Sequence, residues 1–309
     1  MGQSTIAVLN LPTTRHSRLL RIWATISDYW SLTKPEVNFL ILITTFAGFY
    51  LAPATSTSGF RISLAIHTLF GTLLIAGGTG TLNQFLERSF DSQMRRTARR
   101  PLASGRIEPS HALWFGITLS LVGALYLALV VNLLACLLAV ITLLSYLFVY
   151  TPLKRKTPLC TLVGAFPGAA PPLIGWAAAR GRLDPEACVL YALVFLWQFP
   201  HFMAIAWMYR EDYLRANYLV LPFGESRDRY VIWQSLFISL ALVPVSLIPA
   251  ITGKSGLVYA LAALILGSIF FYYSARFAFR RSNHAARQLL VASIVYLPAI
   301  FLLLMADQK

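Results

Sequence analysis

Nine stretches of apolar residues dominate this sequence, and each is long enough to form a helix that crosses a membrane. A helix of roughly 17 to 25 residues spans a hydrocarbon core about 30 Å thick. Of the 309 residues, 57% are hydrophobic and 12% are charged, whereas a soluble domain typically has about 45–50% apolar and 25% charged residues. Ordinary soluble enzymes, disulfide scaffolds and disordered chains are therefore disfavoured. The stretches cover residues 37–53, 62–86, 112–131, 133–150, 159–179, 187–209, 230–250, 256–275 and 288–306.

The pattern predicts an all-α, polytopic membrane protein, folded as a bundle of nine transmembrane helices. Residues 34–309 form the predicted transmembrane domain, and residues 1–33 form an N-terminal segment outside it. That segment combines Arg15, Arg18 and Arg21 with apolar neighbours. This composition is typical of an amphipathic surface helix and not of a cleaved signal peptide. Only Asn132 and its neighbours separate the third stretch from the fourth.

The distribution of basic residues predicts which end of the bundle faces the cytoplasm. The chain has 26 Lys and Arg against 12 Asp and Glu, a formal net charge of +14. The N-terminal side and the loops after stretches two, four, six and eight carry 21 of the basic residues; the other side carries five. Because Lys and Arg collect on the cytoplasmic face, we expect a cytoplasmic amino terminus. Basic residues spread over short loops do not favour nucleic-acid binding, so we expect no nucleic-acid partner.

Polar side chains cluster where the second stretch ends. Asn83, Glu87 and Asp91 are spaced at i, i+4 and i+8, and four helical residues turn 400°, so the three oxygen-bearing side chains share one helix face. Oxygen ligands of this kind suit Mg²⁺, which usually takes one or two carboxylates together with phosphate oxygens and water. The alternative is a solvated helix end in which the two acids only pair with nearby arginines, such as Arg88 and Arg95.

A second polar cluster follows the sixth stretch and is predicted to face the same side. It runs from Trp197 and His201 to Glu211 and Asp212, and the loop after the fourth stretch adds Lys154. Acidic helix ends joined by arginine-rich loops would bring Mg²⁺ and guanidinium groups together. That combination can hold a diphosphate and stabilise its charge as it leaves.

Four segments of the sequence closely resemble the UbiA superfamily of intramembrane prenyltransferases, and within it the protohaem IX farnesyltransferases. Leu32-Thr33-Lys34-Pro35, before the first stretch, also fits this branch. The segments are Asn83-Gln84-x-x-Glu87-Arg88-x-x-Asp91-x-x-Met94-x-Arg96-Thr97-x-x-Arg100-Pro101-Leu102, Tyr150-Thr151-Pro152-Leu153-Lys154-Arg155-x-Thr157-Pro158, Gly168-Ala169-Ala170-Pro171-Pro172-Leu173-Ile174-Gly175-Trp176 and Trp197-Gln198-x-Pro200-His201-Phe202.

The resemblance implies a Mg²⁺-dependent enzyme with a cavity that faces mostly the cytoplasm. Members transfer farnesyl from farnesyl diphosphate to the 2-vinyl group of haem b, and water adds to give haem O. By this resemblance Asn83, Glu87, Asp91 and Asp212 are the catalytic residues and the ligands of Mg²⁺. The implied substrate-binding residues are Arg96, Arg100, Lys154 and Arg155 for the diphosphate and His201 for haem.

The resemblance also implies where the protein works and with what. Its expected partners are farnesyl diphosphate, haem b as a substrate rather than a cofactor, and the lipid bilayer. Haem A synthase and the assembly of a terminal oxidase are candidate protein partners. The expected location is the inner membrane of a bacterial cell.

The sequence departs from the family pattern at four positions. Glu87 replaces the usual Asp, and Ser89 stands where another Asp is common. Met208 stands where other branches of the superfamily carry a second Asp, and Asn217 stands where Gly is frequent. Glu87 keeps the charge but extends it by one methylene, so these departures bear on metal affinity more than on the type of reaction.

Several readings stay open at this point. His201 is either a haem contact, to iron or to a propionate, or a buried hydrogen-bonding histidine. The enzyme could use a quinone precursor or chlorophyll as its acceptor, although the Trp197-to-Phe202 segment argues against this. A transporter would be expected to place charges near the middle of the bilayer, and here the acids lie at helix ends. A weakened haem-binding or assembly factor is the last alternative, suggested by Glu87 and Ser89.

Overall fold

The apolar stretches form helices, as the sequence predicts. The computed structural model describes residues 15–53, 62–222 and 225–309, and in these ranges the chain is helical apart from loops and a single isolated bridge between Ser255 and Gln308. Arg61 and the first 14 residues of the predicted N-terminal segment lie outside the described ranges. The helices are α1 Arg15–Leu32, α2 Pro35–Leu51, α3 Ile62–Asp91, α4 Pro109–Val131, α5 Leu133–Leu153, α6 Cys160–Arg180, α7 Pro185–Met208, α8 Arg210–Arg215, α9 Glu225–Ile251, α10 Leu257–Arg280 and α11 Asn283–Ala306.

Eight of the described helices are long and apolar enough to cross a membrane, namely α3 to α7 and α9 to α11. The remaining predicted span, residues 37–53, corresponds to α2, which is apolar but only 17 residues long. The break predicted at Asn132 is present. Its side chain caps α5 by accepting a hydrogen bond from the Ala135 amide, and it donates to the carbonyl oxygens of Ala177 and Ala178 on α6. Asn132 therefore ends α4, starts α5 and ties the hairpin to the bundle.

Small residues let the central helices approach each other closely. α2 packs along the second half of α6, and α3 packs along α4. A Cβ atom on Gly175 would clash with the carbonyl oxygen of Thr45, and one on Gly48 would clash with that of Pro172. Such close contact of backbones is how membrane helices gain packing energy where lipid offers no hydrophobic driving force. The second half of the bundle is formed by α7, α9, α10 and α11.

Proline and glycine residues shape α6 into a broken helix that borders a cavity. The helix is interrupted at Ala169 and Ala170, directly before Pro171. Gly164, Pro167 and Gly168 line the cavity together with Pro171. Membrane helices tolerate such breaks where neighbouring helices bind the freed backbone groups. Gln198 of α7 contacts α6 beside the break, where its amide nitrogen donates to the carbonyl oxygen of Ala165.

The segments with the charged motifs meet at one end of the bundle, which we call the polar end. It is formed by the α1–α2 turn, the carboxyl end of α3 and the loops that follow α3, α5 and α7. Contacts between these segments hold it together: the Leu219 amide donates to the Lys154 carbonyl oxygen at 2.6 Å, and Asp212 accepts hydrogen bonds from the loop after α3. The convergence expected from the helix count is therefore observed.

Candidate active site

A cavity of about 560 Å³ runs from the polar end into the bundle. Asn83, Glu87 and Asp91 all line it, and all three are buried. The helix periodicity places the three side chains on one face of α3, and that face borders the cavity. The alternative of a solvated helix end for Glu87 and Asp91 does not fit this burial, since both side chains point into the bundle.

Asn83 is held from two sides. Its amide nitrogen donates to the Thr151 hydroxyl at 3.2 Å, which leaves the amide oxygen Oδ1 facing Lys34, whose Nζ lies 2.5 Å away. Lys34 joins α1 to α2 with a left-handed backbone conformation, φ 56°, which is rare for a residue with a side chain and often marks a functional position. Burial disfavours its ammonium, and the Arg100 charge adds repulsion, so the pKa of Lys34 falls to about 7.

Glu87 binds two partners through one oxygen. Lys154 Nζ lies 2.8 Å from Glu87 Oε1, and the hydroxyl of Tyr218 donates to the same atom at 3.0 Å. Burial works against the charged form of Lys154, but the Glu87 carboxylate outweighs it and holds the pKa of Lys154 well above its usual value. Burial, with the Glu87 charge second, raises the pKa of Tyr218. Tyr218 therefore stays a hydrogen-bond donor, and Oε2 of Glu87 has no donor within the described chain.

Asp91 pairs with an arginine of the loop that follows it. Arg100 Nη1 lies 2.8 Å from Asp91 Oδ2. The Thr97 hydroxyl donates to the Asp91 backbone carbonyl at 2.9 Å, and the Arg100 amide donates to the Thr97 carbonyl. The loop thus folds back over the end of α3 and brings Arg100 and Arg96 to the cavity wall.

Asp212 is not positioned as we expect for a ligand of Mg²⁺. Its two carboxylate oxygens accept hydrogen bonds from the backbone amides of Arg95 and Arg96, at 3.2 and 3.1 Å, and it pairs with Arg215. Within the described residues, no three His, Cys, Asp or Glu side chains form a group that could hold a metal. The structure therefore does not join Asp212 to Glu87 and Asp91, and its carboxylate holds the arginine loop.

Arg96 and Arg155 are both predicted to bind the diphosphate, but only Arg96 lines the cavity. The Arg96 guanidinium lies over the Tyr209 ring, 4.5 Å from its centroid, donates to the Tyr213 hydroxyl at 3.3 Å, and lines the cavity. Arg155 packs its guanidinium over the Phe90 ring at 4.6 Å and is not one of the cavity-lining residues.

His201 lies on the cavity wall, on α7. Its Nδ1 lies 2.7 Å from the Ser293 hydroxyl, and that hydroxyl donates to the Leu290 carbonyl at 2.6 Å. A hydroxyl has one proton to donate, so the network assigns the imidazole proton to Nδ1 and leaves Nε2 with a free lone pair. Trp197 stacks on the ring, with centroids 4.6 Å apart, and is fixed by a hydrogen bond to the Ser293 carbonyl.

Two site residues escape prediction from the sequence. Lys34 is visible only as part of the family-like Leu32-to-Pro35 segment, and its contact with Asn83 depends on the α1–α2 turn. Tyr218 has no local signal, because 131 residues separate it from Glu87 in the chain.

Comparison with known proteins agrees with this geometry. Residues 41–303 match the model of the UbiA prenyltransferase family. A "Protoheme IX farnesyltransferase" of Solibacter usitatus is 48% identical over 287 residues, covering 91% of this chain and 98% of the relative. Another protein of that name, from Koribacter versatilis, is 42% identical over 288 residues, covering 91% and 93%.

Solved structures share the fold at low sequence identity. A digeranylgeranylglyceryl phosphate synthase superimposes with a TM-score of 0.74 at 18% identity, covering 91% of this chain and 98% of that one. A UbiA homologue from Archaeoglobus fulgidus, bound to GPP and Mg²⁺, gives 0.60 at 17% identity, covering 90% and 99%. The family match spans most of the chain and includes the polar end apart from the α1–α2 turn. This chain is therefore a member of the UbiA prenyltransferase family.

Proposed function

We propose that this integral membrane protein transfers farnesyl from farnesyl diphosphate to the 2-vinyl group of protohaem IX and so forms haem O. The observation that carries the proposal is the cavity that joins a charged end, suited to diphosphate, to an apolar wall bearing a histidine with a free Nε2. The activity named for the relatives from Solibacter and Koribacter requires both halves of such a cavity.

The charged end has an excess of positive charge for a diphosphate. Four basic side chains line the cavity against three carboxylates, those of Glu36, Glu87 and Asp91; the basic residues are Lys34, Arg96, Arg100 and Lys154. Three of the cations are tied to Asn83, Glu87 and Asp91. On substrate binding these cations can exchange a protein oxygen for a phosphate oxygen without moving far. Charge-assisted hydrogen bonds of this type are the strong ones in phosphate recognition.

The polar residues of α3 are suited to bind a magnesium ion whose remaining ligands come from the substrate and water. Glu87 and Asp91 offer two carboxylates and Asn83 an amide oxygen, and Mg²⁺ usually takes one or two carboxylates together with phosphate oxygens and water. When bound, Mg²⁺ would neutralise part of the diphosphate charge. Asp212 contributes by holding the Arg95 and Arg96 amides, which sets the position of the Arg96 side chain.

The chain's own groups then support departure of the leaving group. Lys34, Lys154 and Arg100 stabilise the negative charge that grows on the diphosphate as the allylic carbon–oxygen bond breaks. The terminal carbon of the vinyl group attacks the farnesyl cation. Water adds to the resulting cation next to the porphyrin ring and loses a proton, which gives the hydroxyethylfarnesyl group. The apolar wall around Val194 and Leu297 shields the allylic cation from earlier capture by water.

His201 is the proposed contact for haem iron. An unprotonated Nε2 can coordinate iron but cannot donate a hydrogen bond to a propionate. Of the two haem contacts open to this residue, its hydrogen bond to Ser293 therefore favours iron. Trp197, stacked on the imidazole, restricts the plane of the ring and so the direction of the lone pair.

The proposed location is the bacterial inner membrane, with the polar end toward the cytoplasm, where a water-soluble diphosphate head group is available. The product would be passed to haem A synthase or to an assembling terminal oxidase. The test uses a bacterial host that lacks its own haem O synthase. Expression of this chain should restore haem O, detected by mass spectrometry of extracted haems. Prenylated quinone precursors without haem O would favour the alternative acceptor.

A further inference from the structure

Helix α1 exposes an apolar surface that no other described part of the chain covers. Leu20, Ile22, Trp23, Ile26 and Trp30 each expose between 52% and 67% of their surface. At 100° per residue they fall within an arc of about 160° around the helix axis. Two large tryptophans in one exposed arc are costly in water, so this surface needs a partner.

The opposite side of α1 is polar, and the helix is attached to the bundle near its carboxyl end. Arg21, Thr25 and Asp28 lie there, and Asp28 pairs with Arg106 at 3.0 Å. The last turn is fixed by Gln84, whose amide nitrogen donates to the carbonyl oxygens of Ser31 and Leu32, both at 3.1 Å. The apolar arc therefore faces away from the bundle.

The attachment places the last turn of α1 below the end of α3. Gln84 precedes the final residue of α3, Asp91, by seven positions, or about 10 Å along the helix at 1.5 Å per residue. α2 begins directly after this turn and is only 17 residues long, about 26 Å, which is shorter than a hydrocarbon core of about 30 Å. The α1–α2 junction thus lies deeper along the bundle than the charged end of α3.

The arc also continues the lipid-facing surface of the spanning helices. At the same end of the bundle, Val37 and Phe39 of α2 and Trp114 of α4 are more than half exposed. Tryptophan is enriched at the level of the lipid head groups, and arginine on the polar face suits their phosphates.

We propose that α1 docks into the lipid leaflet at the polar end of the bundle. The arc of Leu20, Ile22, Trp23, Ile26 and Trp30 lies against the acyl chains, and Arg21 and Thr25 face the head groups and water. If a second copy of the chain or another protein covered this arc instead, the arc would be shielded from both lipid and water.

The test measures depth with nitroxide spin labels on the full chain in phosphatidylcholine/phosphatidylglycerol nanodiscs. Single cysteines replace Trp23 and Ile26 in the arc, and Arg21 and Thr25 as controls on the opposite side, after Cys136, Cys160 and Cys188 are changed to Ala. Power-saturation EPR then compares collision with oxygen, which concentrates in lipid, and with a water-soluble nickel chelate.

Labels at 23 and 26 should collide at least several-fold more with oxygen than with the nickel chelate, and labels at 21 and 25 should show the reverse. Equal nickel accessibility at all four sites would overturn the proposal, because α1 would then stand in water. Labels at 23 and 26 that reach neither reagent would also overturn it, since protein would cover the arc. Each labelled sample is checked for haem O formation, so loss of folding is separated from loss of docking.

Discussion

The hydroxyl of Tyr218 lies 3.0 Å from Glu87 Oε1 and donates a hydrogen bond to it. Lys154 Nζ binds the same oxygen at 2.8 Å. The two donors fix one side of the carboxylate and leave the other oxygen for substrate or metal. A glutamate, whose side chain is longer than the aspartate usual in the family, is thus held in one orientation by a residue from the loop after α8.

Tyr218→Phe should lower kcat/KM for farnesyl diphosphate about tenfold or more. A hydrogen bond to a charged group contributes about 1.5–3 kcal/mol, and about 1.4 kcal/mol is tenfold in rate. Tyr230→Phe is the matched control, because the Tyr230 hydroxyl binds the backbone carbonyl of Pro158 at 2.9 Å. Steady-state kinetics and Mn²⁺ titration by EPR compare the two. Equal kinetic and Mn²⁺ effects in both variants would show that Tyr218 does not orient Glu87.

Glu87→Asp should reduce turnover even though it restores the residue usual in the family. The shorter side chain moves the carboxylate away from both Lys154 and Tyr218. We expect the variant to fold but to melt at a lower temperature, because its buried carboxylate loses two donors, and to need more Mg²⁺ for half-maximal activity. Activity equal to or above that of the unmodified protein, at the same Mg²⁺ concentration, would mean that the two contacts have no role in catalysis.

His201→Ala should abolish the haem interaction while leaving farnesyl diphosphate binding intact. His67→Ala is the control, because Nδ1 of His67 also lies near a hydroxyl, that of Tyr126 at 2.6 Å, but His67 is not a cavity-lining residue. Loss of a buried hydrogen bond costs about 1–3 kcal/mol in either variant, so both should melt at lower temperature. Only His201→Ala should lose the Soret shift that accompanies haem binding. An unchanged Soret shift and unchanged turnover per folded molecule would remove His201 from the site.

The predicted orientation places Ser92 and the α9–α10 loop on opposite sides of the membrane. Ser92 is exposed at the polar end, but Ser255 is buried, and Thr252 is the better reporter in that loop because it is exposed. Single cysteines at 92 and 252 should react from opposite sides of sealed vesicles, with 92 accessible from the cytoplasmic side. Labelling of both from one side would contradict the topology.

The helices and the set of three polar residues on one face of α3 can be predicted from the sequence, because both depend on local periodicity. Apolar stretches locate the spans, and the i, i+4, i+8 spacing places Asn83, Glu87 and Asp91 on one face. The partners of these residues depend on tertiary packing. Asp212 illustrates the limit: its position in the chain is typical of a second acidic motif, yet the fold directs its carboxylate to backbone amides of the α3–α4 loop.

Lys34 illustrates a second limit. Its contact with Asn83 requires both the left-handed turn between α1 and α2 and the insertion of that turn beside α3. Neither can be derived from the residues around it. The orientation of the His201 imidazole likewise depends on Ser293, which lies 92 residues away on another helix.

The central claim is most directly tested with purified protein in nanodiscs supplied with haem b, Mg²⁺ and carbon-13-labelled farnesyl diphosphate. Mass spectrometry should show haem O that contains the labelled farnesyl group and one added water, formed in step with released diphosphate. Asp91→Asn, which removes one carboxylate at the charged end of the cavity, should retain the fold and reduce this product at least a hundredfold. If the folded, unmodified protein binds both substrates but forms no labelled haem product, the assignment as a haem-prenylating enzyme is contradicted.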